Sequence, residues 1–236
     1  MARISIWSTI ASSLSAEISQ GGYPPGAKLP TEAELAVRFG VNRHTVRRAL
    51  GELAKGGVVQ ARRGAGVFVT LVPTEYPLGR RVRFQRNVLA SGRTPSRVIL
   101  RVETRPASQG EAEALEVLPG SLLHLVEGVS LADDLPIGLF ASLVPAARFP
   151  DFPEAMRRLG SLTAALAEGG VADYTRASTR LTAVLADGVQ AGHLRVPQGA
   201  PLLRSATVNV DDQGRPVEVG VTFFVGDRVT LTVAPE

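Results

Sequence analysis

The sequence predicts an α+β chain built in two unlike parts, and three observations carry that expectation. Positive charge is crowded into residues 1–72, where nine Lys and Arg face four Asp and Glu, a balance of +5; the remaining residues stand at −1. Helical periodicity dominates the first part. Beyond residue 78 the chain turns to short β-branched or alternating runs separated by turn residues, with a few short helical patterns between them. Between the parts, "PTEYPL" frames polar residues with prolines, so we expect a linker over 73–78 joining units at 1–72 and 79–236.

The elements of the first part follow in order. Ile6, Ile10, Leu14 and Ile18 recur at i+4 steps with Trp7 beside them, and Gly21-Gly22 ends the amphipathic helix they define. "YPPGAKLP" cannot continue a helix and is expected to be a loop. In "TEAELAVRFG", Thr31 is an N-cap and Glu34 completes a capping box, with Leu35 and Phe39 apolar and Gly40 as the stop. Asn42 then caps a third helix, "RHTVRRALGELAK". At about 100° per residue, Val46, Ala49, Leu50 and Leu53 share one flank, and Arg43, His44, Arg47 and Arg48 lie well away from it. Two β-branched runs around Arg62-Arg63-Gly64-Ala65-Gly66 read as a hairpin.

Helix, loop, helix, tight turn, helix and hairpin make a winged helix-turn-helix, whose last helix enters a DNA major groove by its N-terminal end. Arginine suits that end because its guanidinium fork matches guanine O6 and N7. The hairpin tip, two arginines beside glycines, suits phosphate or minor-groove contact. Arg48 and Lys55 are as well explained as solvated surface, and Trp7 as packing.

The stretch "PPGAKLPTEAELAVRFGVNRHTVRRALGELAKGGVVQARRGAGVFV" resembles the DNA-binding domain of the GntR regulators almost position for position, over about residues 5–70. That resemblance implies base reading by Arg43 and Arg47, phosphate contacts from Thr31 and Thr45, and a wing contact from Arg63 and Gly64. His44 touches a phosphate at most. Ala33 stands where some members carry an arginine, so that contact is lost and the operator is expected to differ.

In the second part "RVILRVETR" reads as a strand, and "LLHLVEGVSL" and "PIGLFASLV" as a hairpin about Ala132-Asp133-Asp134-Leu135. "YTRASTRLTAVLA" alternates, "LLRSATVNV" and "VEVGVTFFV" flank the turn "DDQGRP", and "RVTLTV" closes the series. Short helices are expected in "QGEAEALEV", after Gly160, and in "DGVQAGHLRV", all to one side of an antiparallel sheet. "YPLGRRVRFQRNVLASGRTPS" and the order of elements resemble the UTRA effector-binding domain of the family's HutC branch, most like its phosphonate-metabolism regulators. Such domains resemble the chorismate lyase fold and bind a small, often anionic metabolite. On physical grounds Ser161 and Thr163, at a helix start, attract an anion, and Arg83, Gln85 and Arg176 add donors. Val129 and Ser130 replace basic residues of the phosphonate regulators, which leaves a sugar phosphate or an amino-acid-like effector open as alternatives.

Other classes lose ground. There is no cysteine, hence no thiolate metal site, cysteine nucleophile or disulfide. The histidines, His44, His124 and His193, have no partners at metal-ligand spacing, so neither metal nor cofactor is expected. No P-loop, nucleophile elbow or dinucleotide fingerprint is present, which leaves a chorismate lyase-like enzyme as a remote alternative and no catalytic residue to name. No long apolar run or signal-peptide pattern occurs, so a cytoplasmic protein without membrane contact is expected. The partners implied are double-stranded operator DNA, a small effector, and a second copy of the chain, since a palindrome is read by two recognition helices.

Overall fold

The computed structural model describes residues 5–62, 64–71, 73–81 and 83–233. Its contacts divide the chain into two compact units, 1–72 and 73–236.

In the first unit α1 (Ile6–Ser19), α2 (Glu32–Phe39) and α3 (Arg43–Lys55) precede a hairpin of β1 (Val59–Arg62) and β2 (Gly66–Val69). The helix starts are set by the expected caps. Thr31 and Glu34 exchange both bonds of a capping box, and Asn42 Oδ1 accepts the Thr45 N–H at 2.8 Å. Gly40 ends α2 at φ +63°, a conformation that strains any side-chain-bearing residue, and the chain is thereby turned straight into α3. Ile10, Leu14, Leu35, Val46, Leu50, Leu53, Val59 and Val69 pack into one core. The segment expected to be a plain loop contributes an edge instead: Lys28 bridges to Phe68, and the Leu29 N–H bonds to Val67 O at 2.8 Å while Leu29 itself is buried.

The second unit is organised on a six-stranded antiparallel sheet of β4 (Pro95–Pro106), β5 (Leu122–Ala132), β6 (Leu135–Pro145), β7 (Thr175–Leu185), β8 (Pro201–Val210) and β9 (Pro216–Val225). The strand order is β4-β5-β6-β9-β8-β7, so two hairpin-linked groups meet where β6 pairs with β9. Asp133 and Asp134 turn the first hairpin with φ of +49° and +62°, the primed-turn geometry that matches strand twist.

Helices cover both sheet faces, not the one that was expected. Residues of α5 (Gln109–Leu115) pack with Leu123, Leu125 and Leu143. Those of α6 (Phe152–Leu159) and α7 (Leu162–Glu168) pack with Val126, Phe140 and Val144. Successive strand residues point to opposite faces, so Leu125 and Val126 mark the two sides. The near-continuous apolar runs of β5 and β6 reflect burial from both sides. A further helix, α8 (Gly188–Leu194), packs on Leu202 and Val225.

Three elements depart from the sequence reading. Residues 73–78 are not an open linker: β3 (Thr74–Pro77) pairs in parallel with β10 (Val229–Thr232), and Thr74 and Tyr76 are buried. Prolines are tolerated there because β3 lies at the edge of a two-stranded ladder. The helices α4 (Phe84–Ala90) and α6 were not foreseen. Both are about two turns long, too short for a clear 3.6-residue pattern, and Pro153 near the start of α6 reads locally as a breaker although it is allowed in a first turn.

Candidate functional site

The first unit presents one cationic face. Burial of Val46, Ala49, Leu50 and Leu53 fixes the rotation of α3 and leaves Arg43, His44, Arg47 and Arg48 exposed. The four cations are not equivalent. Arg43 makes no ion pair among the described residues. Arg47 is clamped on Glu32 of α2, Nη2 to Oε2 at 2.7 Å and Nε to Oε1 at 2.9 Å, and that bond holds the Glu32 carboxyl below the usual carboxylate range. Arg48 turns back over the Trp7 ring, 4.7 Å from its centroid, so Trp7 and Arg48 tie α1 to α3.

Thr31 is exposed, and its hydroxyl donates to Glu34 at 2.8 Å; the Thr45 hydroxyl donates to Asn42 at 2.9 Å. Each threonine can still present hydroxyl lone pairs to a neighbour, but its hydroxyl proton and its backbone N–H are both spent on the helix cap. At the hairpin tip Gly64 is exposed at φ +74°. Arg63 lies outside the described residues. The sequence reading missed Lys28: its side chain lies over Gly66, where a Cβ would meet Lys28 Cε at 2.8 Å, and this adds a cation to the tip. The signal was the same-sign charge of Lys28, Arg62 and Arg63, hidden by the distance between them in sequence.

In the second unit a cavity of about 260 Å³ opens against one face of the six-stranded sheet. It is at the small end of the roughly 300–1,000 Å³ typical of ligand pockets. All five residues singled out from sequence line it: Arg83, Gln85, Ser161, Thr163 and Arg176. Their freedom differs. Arg83 stacks on the Tyr174 ring at 3.6 Å and bonds Asp173 at 2.8 Å and Tyr174 O at 2.7 Å, which makes it a brace for the wall. Ser161 Oγ accepts the Ala164 N–H at 3.4 Å, an ordinary N-cap on the short α7. Thr163 and the Tyr174 hydroxyl share a 3.0 Å hydrogen bond. Gln85 is exposed at the rim.

The floor carries groups that sequence reasoning passed over. Arg176, Asn209 and Glu218 stand opposite one another on β7, β8 and β9. Arg176 Nε donates to Asn209 Oδ1 at 3.2 Å, and Asn209 Nδ2 donates to Glu218 Oε2 at 2.5 Å. Burial pushes the Glu218 carboxyl upward, opposed by the Ser142 hydroxyl, Arg176, Asn209 and Arg97. Toward the other end, Arg97 on β4 pairs with Ser130 on β5. Its guanidinium lies between the rings of Phe84 and Phe140, 4.6 and 4.7 Å from their centroids, and its Nε is buried without a hydrogen-bond partner. Desolvation draws Arg97 below the usual guanidinium range, opposed by Tyr76, Tyr174 and Glu218. The cation lost at Ser130 is thus supplied one strand away. The signal was present: Arg97 occupies the same strand phase as Ile99, which packs on the core.

Gly128 and Gly220 shape this floor. A Cβ at Gly128 would meet Val98 O at 2.6 Å and the Phe140 ring at 2.8 Å; one at Gly220 would meet Glu218 Oε1 at 2.5 Å. His124 is buried, its Nδ1 bonded to Thr104 Oγ1 at 2.7 Å, and it does not line the cavity. Among the described residues no cluster of three or more His, Cys, Asp or Glu could hold a metal ion, and no helix is long and apolar enough to cross a membrane.

Both units match known families. A model described as bacterial regulatory proteins, gntR family, matches residues 7–69, and the UTRA domain model matches residues 90–230. An uncharacterized HTH-type transcriptional regulator of Rhizobium meliloti (strain 1021) is 38% identical over 231 residues, covering 98% of this chain and 95% of that protein. The probable transcriptional regulator PhnF of Escherichia coli (strain K12) is 36% identical, covering 95% and 92%. Among solved structures, PhnF from Mycobacterium smegmatis superposes with a TM-score of 0.69 at 28% identity, covering 96% of this chain and 99% of that one.

Proposed function

Because the chain belongs to the GntR family of bacterial regulatory proteins and carries a UTRA domain, it is a ligand-responsive, DNA-binding transcription regulator, and we propose how its two units divide that work. The unit at 1–72 reads a palindromic operator as one half of a homodimer, and the unit from residue 79 binds a small anionic effector that releases the DNA. Arg43 and Arg47 read base edges, and Thr31, His44, Thr45, Arg63 and Gly64 sit against phosphates. Exposure of Arg43, His44 and Arg47 on a helix whose opposite flank is buried supports this assignment.

The observation that carries the effector assignment is Arg97: a guanidinium with a buried, unpartnered Nε, aimed into a cavity that Arg176 also lines. Buried donors left unpaired cost about 1–3 kcal/mol each, and an anionic ligand recovers that loss. A phosphonate or phosphate monoester fits the chemistry and keeps a role in phosphonate metabolism in view, although residues 129 and 130 are Val and Ser. The action on DNA comes from the ligand's differing affinity for two arrangements of the protein. Thermal-shift screening of phosphonates, sugar phosphates and amino acids, followed by operator titration in fluorescence anisotropy, tests the reading. A binder should weaken operator affinity reversibly, and Arg97→Met should abolish the response while operator binding without ligand is unchanged. Normal ligand response in that variant places the effector elsewhere.

A further inference from the structure

Resting on that cavity as the effector site, we infer that its ligand is a small zwitterion: an anionic group taken by Arg97 and a primary ammonium taken by the Glu218 carboxylate. The cavity holds a half-buried cation, Arg97, whose Nε is buried, and a buried acid, Glu218, and among the described residues neither makes an ion pair. Arg97 and Glu218 also lie at different ends of the floor. Their strands, β4 and β9, are three positions apart in the sheet, about 14 Å between backbones. Arg97 lies in the row of Ser130, Gly138 and Phe224, and Glu218 in the row of Asn209 and Arg176. Two ionisable groups of opposite sign in one pocket, on strands three positions apart and without an ion pair among the described residues, match a ligand that carries both complements.

The surroundings of Glu218 set its role. Its Oε2 accepts from Asn209 Nδ2, an amide N–H that cannot accept a proton in return, and the Ser142 hydroxyl also bonds the carboxyl. Asn209 is fixed in that sense because its Oδ1 is occupied by Arg176 Nε. The other oxygen, Oε1, lies over Gly220, where a side chain would collide with it, and Gly220 lines the cavity. Glu218 is thus held as an acceptor for Asn209 and the Ser142 hydroxyl in the wall of the cavity. Ser142, Ser205, Thr207 and Thr222 line the floor with hydroxyls and add no charge of their own. A ligand with only an anionic group leaves Glu218 with Asn209, Ser142 and the charge of Arg176 but no ion pair of its own; an ammonium donates to it directly. The small volume limits the linker between the two groups to a few atoms.

Matched pairs of ligands on the full-length wild-type protein test this by calorimetry: 2-aminoethylphosphonate against ethylphosphonate, and β-alanine against propionate. At least one ammonium-bearing member should bind about 10- to 100-fold tighter than its amine-free partner, the share of one charge-assisted hydrogen bond. The pair that binds identifies the anion as phosphonate or carboxylate. Glu218→Gln should erase the preference by weakening the zwitterion alone, and Arg97→Met should weaken both members of the pair. Equal binding within both pairs, or no binding in either, overturns the zwitterion. The operator titration separates the two readings. Ammonium-dependent binding without any change in DNA affinity would keep the ligand class and sink the effector role. An effector that releases DNA with no ammonium dependence would do the reverse.

Discussion

Truncating the arginines of α3 should separate a free reader from a tethered one. Arg43 is exposed and without an ion pair among the described residues, so its guanidinium reaches DNA without first breaking a bond inside the protein. A bidentate arginine–guanine contact contributes about 1–3 kcal/mol, which makes Arg43→Ala about 5- to 150-fold weaker per half-site. Arg47 begins on Glu32 at 2.7 Å, with side-chain exposures of 64% and 32%. A pair so exposed is screened and is worth only about 1.4- to 5-fold in an equilibrium constant. Arg47→Ala should therefore cost less than Arg43→Ala by that factor, and Glu32→Gln should tighten operator binding by about the same factor. Removing Glu32 also removes a negative charge from a face that meets phosphates, so the tightening should be greatest at low salt. Fluorescence anisotropy with an operator duplex at 50, 100 and 200 mM salt measures all three. Weaker binding by Glu32→Gln would show that the pair orients Arg47 for reading, and unchanged affinity in Arg43→Ala would remove α3 as the reader.

Other outcomes follow from the second unit. Gly128→Ala places a methyl against Val98 O and the Phe140 ring, and should cost about 1–3 kcal/mol in thermal or urea unfolding while loosening the ring that packs on Arg97. The Arg105 guanidinium holds Glu111 down to about 2 against an ordinary 4.5. A lowered carboxylate pKa stabilises the fold above about pH 4.5, and that stabilisation is lost as pH falls through 2. Wild type should exceed Glu111→Gln by about 1–2 kcal/mol at pH 7 after solvent screening, and the gap should shrink below about pH 4.5 and close as pH falls through about 2; a gap independent of pH refutes the linkage. Ending the chain at Arg228 removes β10 and strips β3 of its partner. Amide exchange should then accelerate through Thr74–Pro77 and in the cluster of Tyr76, Phe84 and Val88. In the intact chain those strand amides should exchange slowly, as those of an open linker would not.

Legibility in the sequence tracked how local the cause was. The helices of the first unit were readable because their causes lie within four residues: the Thr31–Glu34 box, Asn42 as a cap, Gly40 in a left-handed stop. The hairpin at Asp133-Asp134 was readable for the same reason. What escaped was set by distant partners. β3 exists only because Val229–Thr232 lies beside it, and nothing in "PTEYPL" carries that information. Lys28 joins the wing through Phe68, far along the chain. The cavity was half legible. The five lining residues were legible from the segment starts and polar side chains around them, whereas Arg97 lies in "RVILRVETR", which reads only as a strand. Its partner across the ladder is Ser130, so strand register, which one sequence does not fix, decided where the charge went. Glu218 drew no reading in "VEVGVTFFV", because its burial comes from the place of β9 between β6 and β8.

The pairing of β6 with β9 also orders events while the chain is being made. The first unit has its own core, complete by Val69, so it can fold once it leaves the ribosome. The cavity floor needs Gly138–Leu143 joined to Val219–Phe224, a contact between segments some eighty residues apart. At about 5–20 residues per second, finishing the second unit takes on the order of 10–30 s more. A nascent regulator therefore acquires its DNA-reading surface well before it acquires the means to be switched off, and for that interval it is blind to its ligand.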